Sequence, residues 1–425
     1  MHDYNGVSTR FLRHDERLVS SQELEMPLVI EAKDRADVPF LQQFLAENSV
    51  QIIADLAKYG AILLRGFDIA SDEDFEKTVL SIKGFYGISE AFMSEQGRIP
   101  VDHLKYVLHT NAVYKTGGTL YLGGFHSENY YSPDVPSYIS FCCHVPSEKG
   151  GETGLVNMEK VFASLSDDLK EKLEKKNYFV AKWLVTEVSE RYQVSIDVIE
   201  KICKRFSLPI VGKGNKQFIL MYKPNIFVHP LTQKKALQIN LFELPTLNTE
   251  LRKCFVSDYQ GKTWIWHRLV WKLPLSILKI LELCYVMVAS LIFSPKESFN
   301  ILKTKFKVFY ASMTKDHLLN YPKDRVGSCF NDEDIKKLAR LIRCYYVSCL
   351  WRKGDIVLVD NKKVAHAGMP GAGKRKIRAL ICNPLEMSYS FNQSGSCYCQ
   401  PRNSAAIGEE LSNTNQLTEF GNEYE

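Results

Sequence analysis

Phe125-His-Ser-Glu-Asn129 and, 240 residues beyond its histidine, the His366 of Val364-Ala-His-Ala-Gly368 are the stretches on which the fold turns. His126 and Glu128 stand two apart, and on an extended strand residues two apart project from the same face. One more imidazole, His366, completes a face of three candidate metal ligands. Two imidazoles and a carboxylate on one side of an octahedral ion leave three positions open. The two stretches must then meet in one fold, because a metal ion cannot be shared across a long gap.

The size of the chain permits this. At 425 residues it exceeds a typical domain, yet β-rich folds and enzymes with insertions reach this length as one unit. Hydrophobic residues make up 45% and charged residues 24%, close to globular averages. A net charge of +5 is too small to imply nucleic acid unless it is concentrated. Eleven cysteines, an odd number and scattered, do not resemble a disulfide framework. The first 25 residues carry no apolar core of signal-peptide length, so a reducing, cytoplasmic location is expected.

Working outward, residues 39–59 show helical periodicity through Phe40, Leu41, Phe44, Leu45, Ile52, Ile53, Leu56 and Ala57, with Gly60 as the stop. Ala61-Ile-Leu-Leu-Arg-Gly-Phe67 suits a buried strand, and Ser71-Asp-Glu-Asp74 caps a helix through Leu80. Tyr138–Val145 reads as a strand, Gly150–Gly154 as a turn, and Ser166 caps a charged helix through Lys176. Asn331 caps a helix from Asp332 to Cys344, whose acidic start and basic end suit the helix dipole. Gly354–Asp360 reads as a buried strand that turns at Asp360-Asn361 toward His366. From Ser390 the chain is polar, and residues 390–425 are expected to be a disordered tail.

Residues 257–325 stand apart. Eleven basic against five acidic residues give this stretch an excess of +6, which accounts for the whole chain's charge. It holds Trp264, Trp266 and Trp271, then a largely apolar run from Leu273 to Phe293 broken by Lys279 and Glu282. Length alone would allow a membrane span. The favoured expectation is a helical insert packed on the core or on a partner, with an interfacial helix as the competing reading. A true span would separate the two halves of the metal face.

His-x-Glu alone is a common tripeptide; its context sharpens it. The chain resembles the taurine dioxygenase-like (TauD/TfdA, clavaminate synthase-like) family of Fe(II)/2-oxoglutarate oxygenases. The resemblance rests on ordered blocks: Ala61–Phe67, Phe125–Glu128, Lys149-Gly-Gly-Glu-Thr153, and Trp351-Arg-Lys-Gly-Asp355 running into Asp360-Asn361 and His366. It spans about residues 50–160 and 326–385, more weakly Val228-His-Pro-Leu-Thr232, and finds no counterpart for 257–325.

That resemblance implies a mainly β core within a mixed α/β chain: a double-stranded β-helix, or jelly roll, with surrounding helices. It implies one oxygenase domain over 1–389 that contains the helical insert. It implies Fe(II) on His126, Glu128 and His366, with 2-oxoglutarate as cosubstrate and O2 as oxidant. Thr153 and Arg375 would bind the distal carboxylate of 2-oxoglutarate. A guanidinium fork and a hydroxyl donor suit that role. Arg378, three residues on, is the alternative or a substrate contact; on a regular strand the two arginines face opposite ways, unless a bulge turns both inward. The implied reaction is hydroxylation or desaturation of a small amino-acid-like or carboxylate-bearing metabolite, with release of succinate and CO2. Glu128 speaks against halogenation, because in related halogenases a small residue replaces that carboxylate. Two other readings compete: a weakly active or inactive metal-binding regulator, and a docking protein whose insert meets a membrane or partner. No nucleic-acid partner is expected, and self-association is left open.

Overall fold

The computed structural model describes residues 2–93, 100–110, 124–175, 178–238, 244–274, scattered positions within 277–288, 330–390 and 396–421. Its strands are β1 (Val7–Phe11), β2 (Leu28–Ala32), β3 (Ala61–Arg65), β4 (Val107–His109), β5 (Val135–Val145), β6 (Lys149–Gly150) and β7 (Thr153–Asn157). There follow β8 (Tyr178–Leu184), β9 (Ile210–Val211), β10 (Phe218–Pro224), β11 (Ile226–Val228) and β12 (Lys235–Leu237). The last are β13 (Tyr346–Val347), β14 (Ile356–Asp360), β15 (Val364–Gly368), β16 (Gly371–Ala372), β17 (Lys376–Ser390) and β18 (Ser396–Pro401). The larger sheet runs β1-β2-β3-β14-β5-β17-β18, with β4 also on β17, and a smaller one runs β13-β7-β15.

Side-chain alternation explains why the two sheets face each other. Ile139, Phe141 and Cys143 of β5, Val357 and Val359 of β14, and Ile377, Ala379 and Ile381 of β17 share one buried cluster with Leu155 of β7 and Val364 of β15. This is the inside of the jelly roll. The opposite parity, with Ile356, Leu358, Leu380 and Cys382, packs against Leu41, Phe44, Leu56, Phe75 and Val79 of the entry helices. These helices are α1 (Val38–Glu47), α2 (Ser49–Tyr59) and α3 (Asp72–Leu80). Behind the smaller sheet, Val156, Tyr346, Ala365 and Ala367 form another cluster with Leu247, Leu251, Ile335, Leu338 and Ile342.

Local signals set most element ends. Ser71 and Asp74 form a reciprocal capping box on α3, as do Asn331 and Asp334 on the helix Asp332–Cys344. Gly60 closes α2 at φ +83°. Two expectations fail. The helix over 39–59 is two helices, split at Asn48, whose Nδ2 donates to Phe44 O at 2.8 Å. The apolar pattern runs through this break because α1 and α2 bury residues in the same core cluster.

The expected disordered tail is replaced over 396–421 by β18 and a helix, Ile407–Gly421; residues 391–395 and 422–425 lie outside the described residues. Strand pairing with β17 satisfies the polar backbone, and Arg402 closes an ion pair on fully buried Asp134. Asp134 also accepts N–H bonds from Phe92, Ile407 and Gly408. Polar composition hid this because the stabilising partners lie far away in the chain.

Within the insert the described residues include a 3-10 turn at Lys262–Trp264 and a helix at Ile265–Trp271 with turns on either side, while residues 289–329 lie outside the described residues. No helix among the described residues is long and apolar enough to cross a membrane.

Candidate metal centre

His126 and His366 meet through the backbone. His126 N donates to His366 O at 3.0 Å and His366 N to His126 O at 2.9 Å, a single antiparallel bridge at the edge of β15. This differs from the expected strand-borne His-x-Glu pair. Only His126 sits in a bridge, and Glu128 lies in the turn that follows. What aims Glu128 is Asn361: its Oδ1 accepts Glu128 N at 2.7 Å, and its Nδ2 donates to Glu128 O at 3.1 Å and Pro136 O at 2.8 Å.

The ligand atoms of His126, Glu128 and His366 all lie within 4.8 Å of one another. Glu128 Oε2 is 3.7 Å from His126 Nε2 and 3.4 Å from His366 Nε2. Glu128 and His366 are buried, while His126 is partly exposed and so marks the open side. Its Nδ1 lies 3.0 Å from Gly124 O; a proton there donates to the carbonyl and leaves the Nε2 lone pair for a metal. The His366 ring stands edge-on to Phe141, centroids 5.1 Å apart, on the inner wall. Two neutral imidazoles and one carboxylate are the donor set that suits Fe(II) with open positions.

A further layer holds the turn before His366. His229 Nε2 is 2.9 Å from Asp360 Oδ2, and its Nδ1 accepts the N–H groups of Leu231 and Thr232, so the proton toward Asp360 sits on Nε2. Lys362 Nζ lies 2.8 Å from Asp360 Oδ1. Burial works against ionisation of Asp360, but Lys362 and His229 outweigh it and hold the carboxyl well below its usual range. The sequence alone assigns no role to Asn361 or His229. A polar Asp-Asn pair directly after an apolar strand was the signal for a buried, fully bonded turn.

Thr153 begins β7, pairs with Gly368, and shares the inward parity of Leu155, which pairs with His366. It is buried, and so is Glu152 beside it, whose Oε1 accepts the hydroxyls of Tyr346 and Ser348 at 3.0 Å each. Arg375 lies between β16 and β17. A Cβ on Gly151 would touch its Cδ at 3.5 Å, and its Nε is sealed from solvent with no hydrogen-bond partner among the described residues. Burial pushes the Arg375 guanidinium pKa down, against the pull of Cys143 and Glu152.

Arg378 faces the other way, with Leu380 and Cys382. Its Nε donates to Asp72 at 3.1 and 3.2 Å, and its Nη1 lies 2.9 Å from His109 Nδ1. The register does slip between Lys376 and Ile377, but the extra residue is His144 on β5, so β17 keeps its alternation. His144 itself turns outward, 2.7 Å from Asp72.

Two facing sheets with a His/Glu/His face on the inner wall define a class, the non-haem Fe(II) oxygenases of jelly-roll architecture. The chain belongs to the TauD/TfdA family: the family model described as "Taurine catabolism dioxygenase TauD, TfdA family" matches residues 22–253, more than half of the chain. It is an Fe(II)/2-oxoglutarate-dependent dioxygenase that acts on a small molecule. Among curated proteins it is similar to the dapdiamide synthesis protein DdaC of Enterobacter agglomerans, 20% identical over 365 residues, covering 83% of this chain and 90% of that protein. Among solved structures it is similar to a taurine dioxygenase from Burkholderia xenovorans, with 12% identity, 96% and 98% of the two chains covered and a TM-score of 0.44. It is also similar to the PvcB protein of Pseudomonas aeruginosa, with 13% identity, 90% and 95% covered and a TM-score of 0.40.

Proposed function

We propose that His126, Glu128 and His366 hold Fe(II), and that Arg375 with Thr153 takes the distal carboxylate of 2-oxoglutarate. The convergence of three ligand atoms within 4.8 Å on the inner wall carries this reading. Arg375 supports the second half of it, because its Nε is buried beside the Gly-Gly turn while Arg378 is already bound to Asp72 and His109. Bound iron supplies the oxidising chemistry, in which 2-oxoglutarate and O2 yield succinate and CO2 while the substrate gains oxygen or loses two hydrogens. The chain's part is placement: Asn361 aims the Glu128 backbone, Gly124 O fixes the His126 tautomer, and the apolar inner wall excludes water.

The substrate is an amino-acid-like or carboxylate-bearing metabolite. A relative named for dapdiamide synthesis supports a small-molecule substrate. The experiment is a mass-spectrometric metabolite screen with Fe(II), ascorbate and 2-oxoglutarate. Succinate release matched by a product gaining one oxygen or losing two hydrogens is expected; failure to bind metal at all sinks the assignment.

The insert supports a second contact, with an anionic membrane surface. Ile265, Trp266 and Leu269 are 43%, 76% and 53% exposed on one helix, and Lys262 and Lys272 at its ends are also exposed. Flotation with anionic liposomes at low salt is expected, and flotation equal to that with neutral liposomes removes the charge argument.

A further inference from the structure

The matched family region stops at residue 253, and the segment just beyond it packs on the turn that carries the cosubstrate residues. Asp258 is held by Arg343 through two bonds of 2.6 and 2.7 Å, and Arg268 donates to Tyr259 O at 2.8 Å. Tyr259, Trp264 and Trp271 are buried as one aromatic group, with Tyr259 centroids 5.0 Å from Trp264 and 5.1 Å from Trp271.

Trp264 lies directly on Gly150. A Cβ added there would sit 2.9 Å from its Cη2 and 3.2 Å from its Cζ2. Gly150 and Gly151 both have positive φ, +59° and +69°, so this turn depends on its surroundings as much as on its own backbone. Gly151 N donates to Pro370 O at 2.7 Å, and Gly150 pairs with Gly371, four residues before Arg375. Lys149 Nζ reaches Thr263 Oγ1 at 3.1 Å. The aromatic block therefore bears on a unit that carries Thr153 at one end and leads to Arg375 at the other.

From this we propose that Trp264 is a positioning residue for the 2-oxoglutarate site, acting through Gly150, so that the segment 258–271 sets cosubstrate affinity. The inference rests on the assignment of Thr153 and Arg375 to that cosubstrate. No contact between Trp264 and the cosubstrate is required; the ring fixes the height of the turn, and the turn fixes the two donors.

The test is calorimetric titration of the Fe(II) protein with 2-oxoglutarate in the absence of oxygen, run beside steady-state kinetics. Trp264→Ala should weaken 2-oxoglutarate binding about tenfold, the size of one misplaced charge-assisted hydrogen bond, and raise its KM in parallel. Iron content and kcat at saturating 2-oxoglutarate should stay within about twofold, since the metal face is untouched. Trp264→Phe should recover most of the affinity, and Lys149→Met, which removes only the Thr263 bond, should weaken it by a smaller factor. If Trp264→Ala does not fold, the Phe and Met variants decide. Wild-type affinity in every folded variant, with only a lower melting temperature, overturns the proposal and leaves a structural packing role. Failure of the underlying assignment looks different: Arg375→Ala and Thr153→Ala would then bind 2-oxoglutarate as tightly as the wild type.

Discussion

Arg65 and His366 are both sealed inside the protein, and both meet partners hundreds of residues away, yet the groups around them are of opposite kinds. Around Arg65, charges cancel. Its guanidinium donates to Asp355 at 2.6 and 3.1 Å, to Glu16 at 2.7 Å and to Leu350 O at 2.7 Å, joining the first motif block to the Trp351–Asp355 block. Around His366, acceptors converge: two imidazoles and a carboxylate are gathered within 4.8 Å by the His126–His366 backbone bridge and by the Asn361 side chain on Glu128. A cation would be welcome at the second cluster and has no place at the first. Recurrence in a recognisable motif therefore does not tell a structural residue from a chemical one; the signs of the groups facing each other do.

The sharpest way to break that contrast is to remove one member from each cluster. His126→Ala or His366→Ala should cut iron-dependent succinate release by about a hundredfold or more with a near-normal melting curve, read from metal content and turnover. Arg65→Met should do the reverse. It strands Asp355 without its counter-ion, while Arg10 still pairs with Glu16, and should cost about 3–5 kcal/mol in denaturant melts while folded molecules still bind iron. Loss of iron binding in folded Arg65→Met would merge the two clusters into one.

The arginine pair offers a finer version. Arg375→Ala should raise the KM for 2-oxoglutarate about thirtyfold or more, whereas Arg378→Ala should leave it within about twofold and cost about 1–3 kcal/mol of stability through Asp72. Equal KM effects would mean that the outward-facing arginine also serves the site.

The last expected effect is in acid. Burial opposes ionisation of Glu16, but hydrogen bonds from Arg10, the Arg13 N–H and Arg65 outweigh it and bring its pKa from 4.5 to about 2. A folded pKa below the unfolded one stabilises the protein above the unfolded value, and that contribution fades as pH falls from 4.5 toward 2. Melting temperature against pH should show this slope in the wild type and a reduced one in Glu16→Gln.

What the sequence disclosed follows the range of each interaction. Ser71, Asn331 and Gly60 act within one helical turn, so their capping roles were readable. His126, Glu128 and His366 could be singled out as a proposed metal face because they stood in recognisable blocks, and the structure gathers their ligand atoms within 4.8 Å. Sequence could not say which arginine was committed elsewhere, because Asp72 lies 306 residues before Arg378. Nor could it show that Arg402 answers Asp134, 268 residues upstream, which is why an ordered tail read as a disordered one. Asn361 sat in plain view in its block, but its bonds to Glu128 cross 233 residues. Long-range polar pairing has no local periodicity to betray it.

The bridge between His126 and His366 also fixes an order of events. β14 lies between β3 and β5, and β17 and β18 extend the same sheet, so a chain emerging from the ribosome lacks His366 until β15 is made and a finished large sheet until β18 is made. Such late, distant pairings slow folding and leave earlier strands waiting with an open edge. On the proposed assignment, the three-ligand face is incomplete during all that time. A chain that stops before His366 carries two of the three proposed ligands and lacks the backbone bridge that brings the third to them.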